Sequence, residues 1–314
     1  GVKAMLTSGK LDAEALPRIA AAAGQLAYQA GDHGEAQTYL RQAVDAGYSD
    51  TNVVALLGES YIANGQVNEG LALFEKAITD GRASGTLAPD AWYRRGLLAA
   101  YRAKDLDRAA QFGAHLIRDY PEPANVGIAA TIVRELGVFG SQETLDVMRL
   151  MGRTNSYAEQ RDYVEYIQAA DPRRLPGETL KVIEAGLASG KLSASDSFVA
   201  DARSQANGRL SADRASLDSY AGDARKANAT EATISGAADA LLSYGRAAEA
   251  EELYKLALAK PGVDADRTLT RLGIAQIEQR KLAEAQENLG KVTGKRASIA
   301  RLWAAYAARQ PAAQ

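Results

Sequence analysis

The sequence has no cysteine and only two histidines in 314 residues. Disulfides, thiolate catalysis and cysteine-based metal sites are excluded. His33 and His115 lie far apart, and neither has a His-Glu spacing that would hold zinc. Aromatic residues make up 6% of the chain, so any core is built mainly from Ala, Leu, Ile and Val. Neither sign of charge dominates. The 37 Lys and Arg face 39 Asp and Glu, a net charge of −2, which provides no general attraction to nucleic acid or to an anionic membrane surface. No stretch approaches the ~18 to 20 apolar residues of a membrane span, and no secretory leader is visible. Lack of cysteine leaves the compartment open, because cytosolic and periplasmic proteins alike can do without it.

What is abundant is alanine, at 64 residues. Alanine is the best helix former and leucine follows closely, so the composition points to helix. Helix-period runs alternate with short turns, and strand alternation is nearly absent. The turns recur. Gly31-Asp32 and Gly65-Gln66 are 34 residues apart, Lys104-Asp105 follows after 39, and Gly245-Arg246 and Arg280-Lys281 are 35 apart. Small residues precede each turn and an alanine, then a larger residue, follow it: Gly24 before Ala36 and Leu40, Ala238 before Ala250 and Tyr254, Gly273 before Ala285 and Leu289. A small residue on the first helix lets the second approach, and the large residue fills the gap to the next pair. No pair can bury its own apolar face, so pairs must stack.

This pattern resembles the tetratricopeptide repeat, a helix-turn-helix unit of about 34 residues. The second repeat carries Leu57-Gly58, Tyr61, Phe74 and Ala77, with Gly70 in place of the usual helix-B alanine. The third has Ala109 and Pro121 and inverts the Leu-Gly pair as Gly96-Leu97, while the signature tryptophan is missing throughout. The resemblance covers residues 17–122 and 231–293. It implies an all-α, right-handed superhelical solenoid of helix-turn-helix units. About eight pairs are predicted, with a C-terminal capping helix over residues 296–309 built on Leu302, Trp303 and Tyr306.

Three segments follow: residues 1–122 as an N-terminal array with a truncated first repeat, 123–230 as divergent pairs continuing the stack, and 231–314 as a C-terminal pair plus the cap. In the middle segment six helical patterns are predicted, near 125–138, 142–152, 156–169, 177–189, 195–207 and 211–227. They make three more pairs in the 141 residues between Lys104 and Gly245. Val2, Met5 and Leu6 read as the end of a second helix without its first, so the native chain is expected to begin earlier. Pro311 to Gln314 read as a frayed tail.

Chemistry is sparse. Gly290 to Lys295 has three residues between its glycines, not the four of a phosphate loop, and follows a helix; Gly186 to Lys191 fails in the same way. There is no serine elbow and no dinucleotide-binding glycine motif. Acidic residues read as polar helix faces without a specific pair, and no glutamate stands out as desolvated. No catalytic, metal or cofactor site is expected.

The resemblance places the binding surface in a concave groove lined by first helices. The corresponding positions are Gln25, Tyr28 and Gln29, then Asn52, Glu59 and Ile62, then Arg94, Leu98, Tyr101 and Arg102, with Arg95 beside them. Tyr28 and Tyr101 both stand three residues before their turn, and hence at one repeat position. Tyr and Arg are effective interface anchors; the alternative is that both rings belong to the core. The Lys/Asn two-carboxylate clamp of the chaperone-binding branch is absent, since Arg18, Ala21, Ala22 and Leu56 fill its places, so a chaperone tail is not the expected ligand.

The function expected is a non-catalytic scaffold for a protein or peptide partner, without nucleic acid or membrane insertion. Alternatives are a regulatory or substrate-recruiting module of a larger enzyme or envelope assembly machine, and a helical-solenoid enzyme acting on cell-wall glycan through a carboxylate in the middle segment. Similarity in style to alanine-rich bacterial tetratricopeptide proteins that are exported implies a periplasmic location, with the cytoplasm as the alternative. Neither the partner nor the oligomeric state follows from the sequence.

Overall fold

All five turn residues singled out by spacing adopt positive φ: Gly31, Gly65 and Gly245 near 80°, Lys104 at 57° and Arg280 at 60°. At each turn the next N–H reaches back to a carbonyl five residues earlier: Asp32 to Ala27, Gln66 to Tyr61, Asp105 to Ala100, Arg246 to Leu241 and Lys281 to Gln276, all at 2.9–3.0 Å. A left-handed residue ends one helix, satisfies its last carbonyls and reverses the chain. Asp32 and Asp105 then cap the following helix by accepting from the N–H of Glu35 and Arg108.

The computed structural model describes residues 12, 14–48 and 50–309. The expectations for Val2, Met5 and Leu6 and for the tail after residue 309 lie outside these residues. The described residues are all-α, with no strand. They form α1 (Leu16–Gln29), α2 (His33–Asp45), α3 (Thr51–Ala63), α4 (Val67–Ala83), α5 (Asp90–Arg102) and α6 (Leu106–Asp119). Next come α7 (Pro123–Gly137), α8 (Ser141–Thr154), α9 (Gln160–Ala170), α10 (Pro176–Ala188) and α11 (Ser197–Ala224). The last are α12 (Glu231–Ser243), α13 (Ala247–Leu258), α14 (Ala265–Glu278), α15 (Leu282–Leu289) and α16 (Ala297–Ala307). They divide into two compact units between Phe112 and Gly113, within α6.

In the first unit the pairs α1/α2, α3/α4 and α5/α6 close on glycine. A Cβ on Gly24 would lie 2.5 Å from Leu40, one on Gly58 would lie 3.0 Å from Phe74, and one on Gly96 would lie 2.3 Å from Phe112. In the second unit Gly273 meets Leu289 at 2.6 Å in the same way. The partner is always sixteen residues on, so the crossing point repeats from pair to pair. Gly70 is the helix-B counterpart: a Cβ there would sit 2.6 Å from the carbonyl oxygen of Gly58. Glycine replaces the usual alanine because α3 and α4 leave no room for a methyl group.

The second unit holds α7/α8, α9/α10, the long α11, α12/α13, α14/α15 and α16. Four of the six middle helical patterns appear close to their predicted places. The two predicted near 195–207 and 211–227 are one 28-residue helix, α11. Its buried residues Val199, Ala202, Ala206, Leu217, Ala221 and Ala224 stay in phase, because the eleven-residue step from 206 to 217 is three helical turns. A lone Gly208 costs about 1 kcal/mol and does not break such a helix.

The end of this unit returns to its beginning. Helix α16 packs on α7 and α8 as well as on α14 and α15, and α14 also meets α8. Buried Trp303 donates from Nε1 to the carbonyl oxygen of Asp146 at 2.9 Å. The terminal helix covers α14 and α15, as the predicted cap would, and by reaching α7 and α8 as well it closes this unit into a ring.

Candidate functional site

In the first unit, three first helices are tied together by polar side chains. The Tyr28 hydroxyl on α1 donates to Glu59 Oε2 on α3. The other oxygen of Glu59 receives Arg95 Nη1 of α5 at 2.6 Å. Tyr28, Glu59 and Arg95 thus form one line across α1, α3 and α5. Burial, then the hydrogen bond to and charge of Glu59, push the Tyr28 phenol up to about 12, against the opposing effect of Arg95.

The remaining predicted groove residues distribute around this line. Gln25 is half-buried, and Gln29 and Asn52 are exposed. Asn52 sits in the first turn of α3, its N–H donating to Asp50 Oδ1 at 2.8 Å. Arg94 is tied back to Asp90 on its own helix at 2.9 Å. Leu98 and Tyr101 are 38% and 37% exposed, and Arg102 follows on the same exposed side. Ile62 departs from expectation: it packs against Gly70 between α3 and α4.

Neither tyrosine is a core residue: Tyr28 packs one side against the core while keeping its hydroxyl on Glu59, and Tyr101 is exposed. The core tyrosines of this unit are Tyr93 and Tyr61, and the Tyr61 hydroxyl accepts from Arg41 Nε at 3.1 Å. The shared repeat position of Tyr28 and Tyr101 needs correction. Measured from the glycine where each pair crosses, Tyr28 is four residues after Gly24 and Tyr101 five after Gly96. The inverted Gly96-Leu97 order shifts the crossing by one residue and turns Tyr101 further towards solvent.

Sequence reasoning missed a buried ionic hub in the second unit. Asp146 on α8 is fully buried and accepts from Arg271 of α14 at 3.0 Å, from Arg149 at 3.4 Å and from Arg296. Asp239 on α12 accepts from Arg271 at 2.6 Å, from Arg267, and from the Tyr254 hydroxyl at 2.8 Å. Glu178 on α10 takes both Nε and Nη2 of Arg149 at 2.8 Å and the Tyr166 hydroxyl at 2.8 Å. Burial opposes ionisation of Asp239 and Glu178, but their arginines win and hold both carboxyls below the usual range. These acids are fixed as carboxylates and are unsuited to giving up a proton. The signal was single charges inside apolar runs, Asp239 within Ala237–Leu242 and Arg271 between Thr270 and Leu272.

Glu178 and Glu278 are both desolvated, contrary to the sequence reading, and at Glu278 burial prevails. Burial raises the Glu278 carboxyl, against the pull of Arg153, 3.9 Å away. It lines a cavity of about 300 Å³ with Lys181 and Trp303. The other carboxylate there, Glu178, is spent on Arg149, so no free acid and base face each other. Among the described residues no cluster of three or more His, Asp or Glu could hold a metal, and no helix is long and apolar enough to cross a membrane.

Residues 21–85 and 55–122 match the tetratricopeptide repeat family. A solved structure described as the TPR2AB domain–pHSP90 complex of yeast Sti1 is 15% identical, with 95% of this chain and 100% of that chain covered and a TM-score of 0.32. No curated protein matches the sequence.

Proposed function

We propose that the chain is a non-catalytic scaffold that binds a protein or peptide across α1, α3 and α5, a reading supported by the match of residues 21–122 to the tetratricopeptide repeat family. The observation that carries this reading is the Tyr28–Glu59–Arg95 line, which joins three first helices into one preformed face. Beside it, Leu98 and Tyr101 offer apolar surface and Arg102 a guanidinium. Apolar platforms next to guanidinium forks suit an extended peptide that carries carboxylates. Side chains held by neighbouring helices lose little entropy on binding.

The test uses acidic peptides selected on the wild-type protein, with affinity read by fluorescence anisotropy. Replacing Tyr101 and Arg102 together by Ala is expected to weaken binding by about 2 kcal/mol and to leave helix content unchanged. A drop of several degrees in melting temperature for Tyr101→Ala alone, with peptide affinity intact, would show that the ring serves packing and would overturn the reading.

A further inference from the structure

The second unit carries an arginine cluster that the groove does not use. The turn between α9 and α10 presents Arg173 and Arg174, and α11 presents Arg209, around a cavity of about 400 Å³. Small residues of α12, Gly236, Ala237 and Ala240, form its floor and leave the space open. The backbone of the turn is fixed in advance. Asp171 accepts the Arg173 N–H on its side chain at 2.9 Å and the Arg174 N–H on its carbonyl at 2.9 Å.

These guanidiniums are poorly neutralised. Arg173 donates to the Gln205 amide oxygen at 3.0 Å and Arg209 to the Arg173 carbonyl at 2.9 Å, and among the described residues neither has a carboxylate within ion-pairing distance. Arg174 donates to Gln142 at 2.8 Å and lies 3.5 Å from Asp239, a carboxylate already shared with Arg271 and Arg267. Burial, then the like charges of Arg271, Arg267 and Arg149, lower its pKa despite the attraction of Asp239. Of the two aspartates in the cavity wall, Asp223 is neutralised by Lys226 at 2.6 Å, whereas Asp213 accepts the neutral Tyr244 hydroxyl at 2.7 Å and keeps its charge, so three arginines face one uncompensated carboxylate.

We propose that this cavity binds the phosphomonoester group of a small soluble molecule, with Arg173, Arg174 and Arg209 as its ligands. A tetrahedral dianion presents oxygens in three directions at once, which suits guanidiniums arriving from a turn and from a helix. A carboxylate carries one charge and two coplanar oxygens and satisfies a single fork.

The experiment is calorimetric titration of the full chain with methyl phosphate at pH 8, where a phosphomonoester with a second pKa near ~6 is a dianion. Binding is expected for the wild type and for Arg203→Gln, a change on α11 outside the cavity. Arg173→Gln combined with Arg209→Gln is expected to weaken it at least tenfold, with an unchanged circular dichroism spectrum. Acetate is expected to bind at least tenfold more weakly than methyl phosphate. No heat with methyl phosphate, equal affinity for acetate, or an undiminished double variant would each overturn the proposal. So would binding seen only with vesicles containing phosphatidic acid, which would assign the arginines to a lipid headgroup.

Discussion

Gly70 and Tyr28 show what single residues contribute to the first unit. A methyl group at Gly70 has no space between the Gly58 carbonyl and Ile62. Gly70→Ala is expected to destabilise the protein by about 1–3 kcal/mol, the range for overpacking, measured by urea denaturation. An unchanged midpoint would mean that α3 and α4 are further apart than described. For Tyr28, burial and Glu59 raise the folded-state phenol to about 12, above its unfolded value. Its contribution to stability is complete below pH ~10 and is lost as pH rises through about 12, because the unfolded chain releases the proton first. Glu59→Gln should move the Tyr28 titration, followed by phenolate absorbance, back towards that unfolded value. A titration that stays put would show that Glu59 does not hold the hydroxyl. Turn glycines were legible in the sequence because their constraint is local. The Glu59–Arg95 pair was not, since it joins residues in successive repeats whose facing depends on how the pairs cross.

Helices were legible wherever a turn residue interrupted the periodicity. Gly31, Gly65, Lys104, Gly245 and Arg280 each stop a helix, and the helices around them stand where they were expected. Between α10 and α12 the composition around Gly208 mimicked a turn, but the apolar stripe ran through it. Gly208 has helical φ, and a Cβ there would meet nothing within 4 Å. Gly208→Ala should therefore stabilise the protein by about 0.5–1 kcal/mol through helix propensity and a less flexible unfolded chain. A loss of stability on thermal or chemical denaturation would contradict a continuous α11. The third repeat illustrates a subtler limit. Counting from the turn aligned Tyr101 with Tyr28, whereas the glycine crossing, set by packing against Phe112, differs by one residue.

At the scale of the whole molecule, the all-α repeat architecture was evident from the spacing. The ring closure of the second unit was not, because it depends on contacts between residues more than a hundred positions apart. Asp146 is where those contacts meet: its carboxylate faces Arg149, Arg271 and Arg296, and its carbonyl receives Trp303. Removing a partner from a buried ion pair leaves an uncompensated charge, so Asp146→Ala should cost about 3–5 kcal/mol in denaturant unfolding. A cost below 1 kcal/mol would mean that the ring closes without the hub.

If the first helices of the first unit form the binding face, site-specific photo-crosslinking to a selected acidic peptide will map the peptide to them. A photoreactive residue in place of Leu98 on α5 is expected to crosslink efficiently, and one in place of Lys76, exposed on α4, is not. Crosslinking from position 76 and none from position 98 would place the peptide on the second helices and rule out this face.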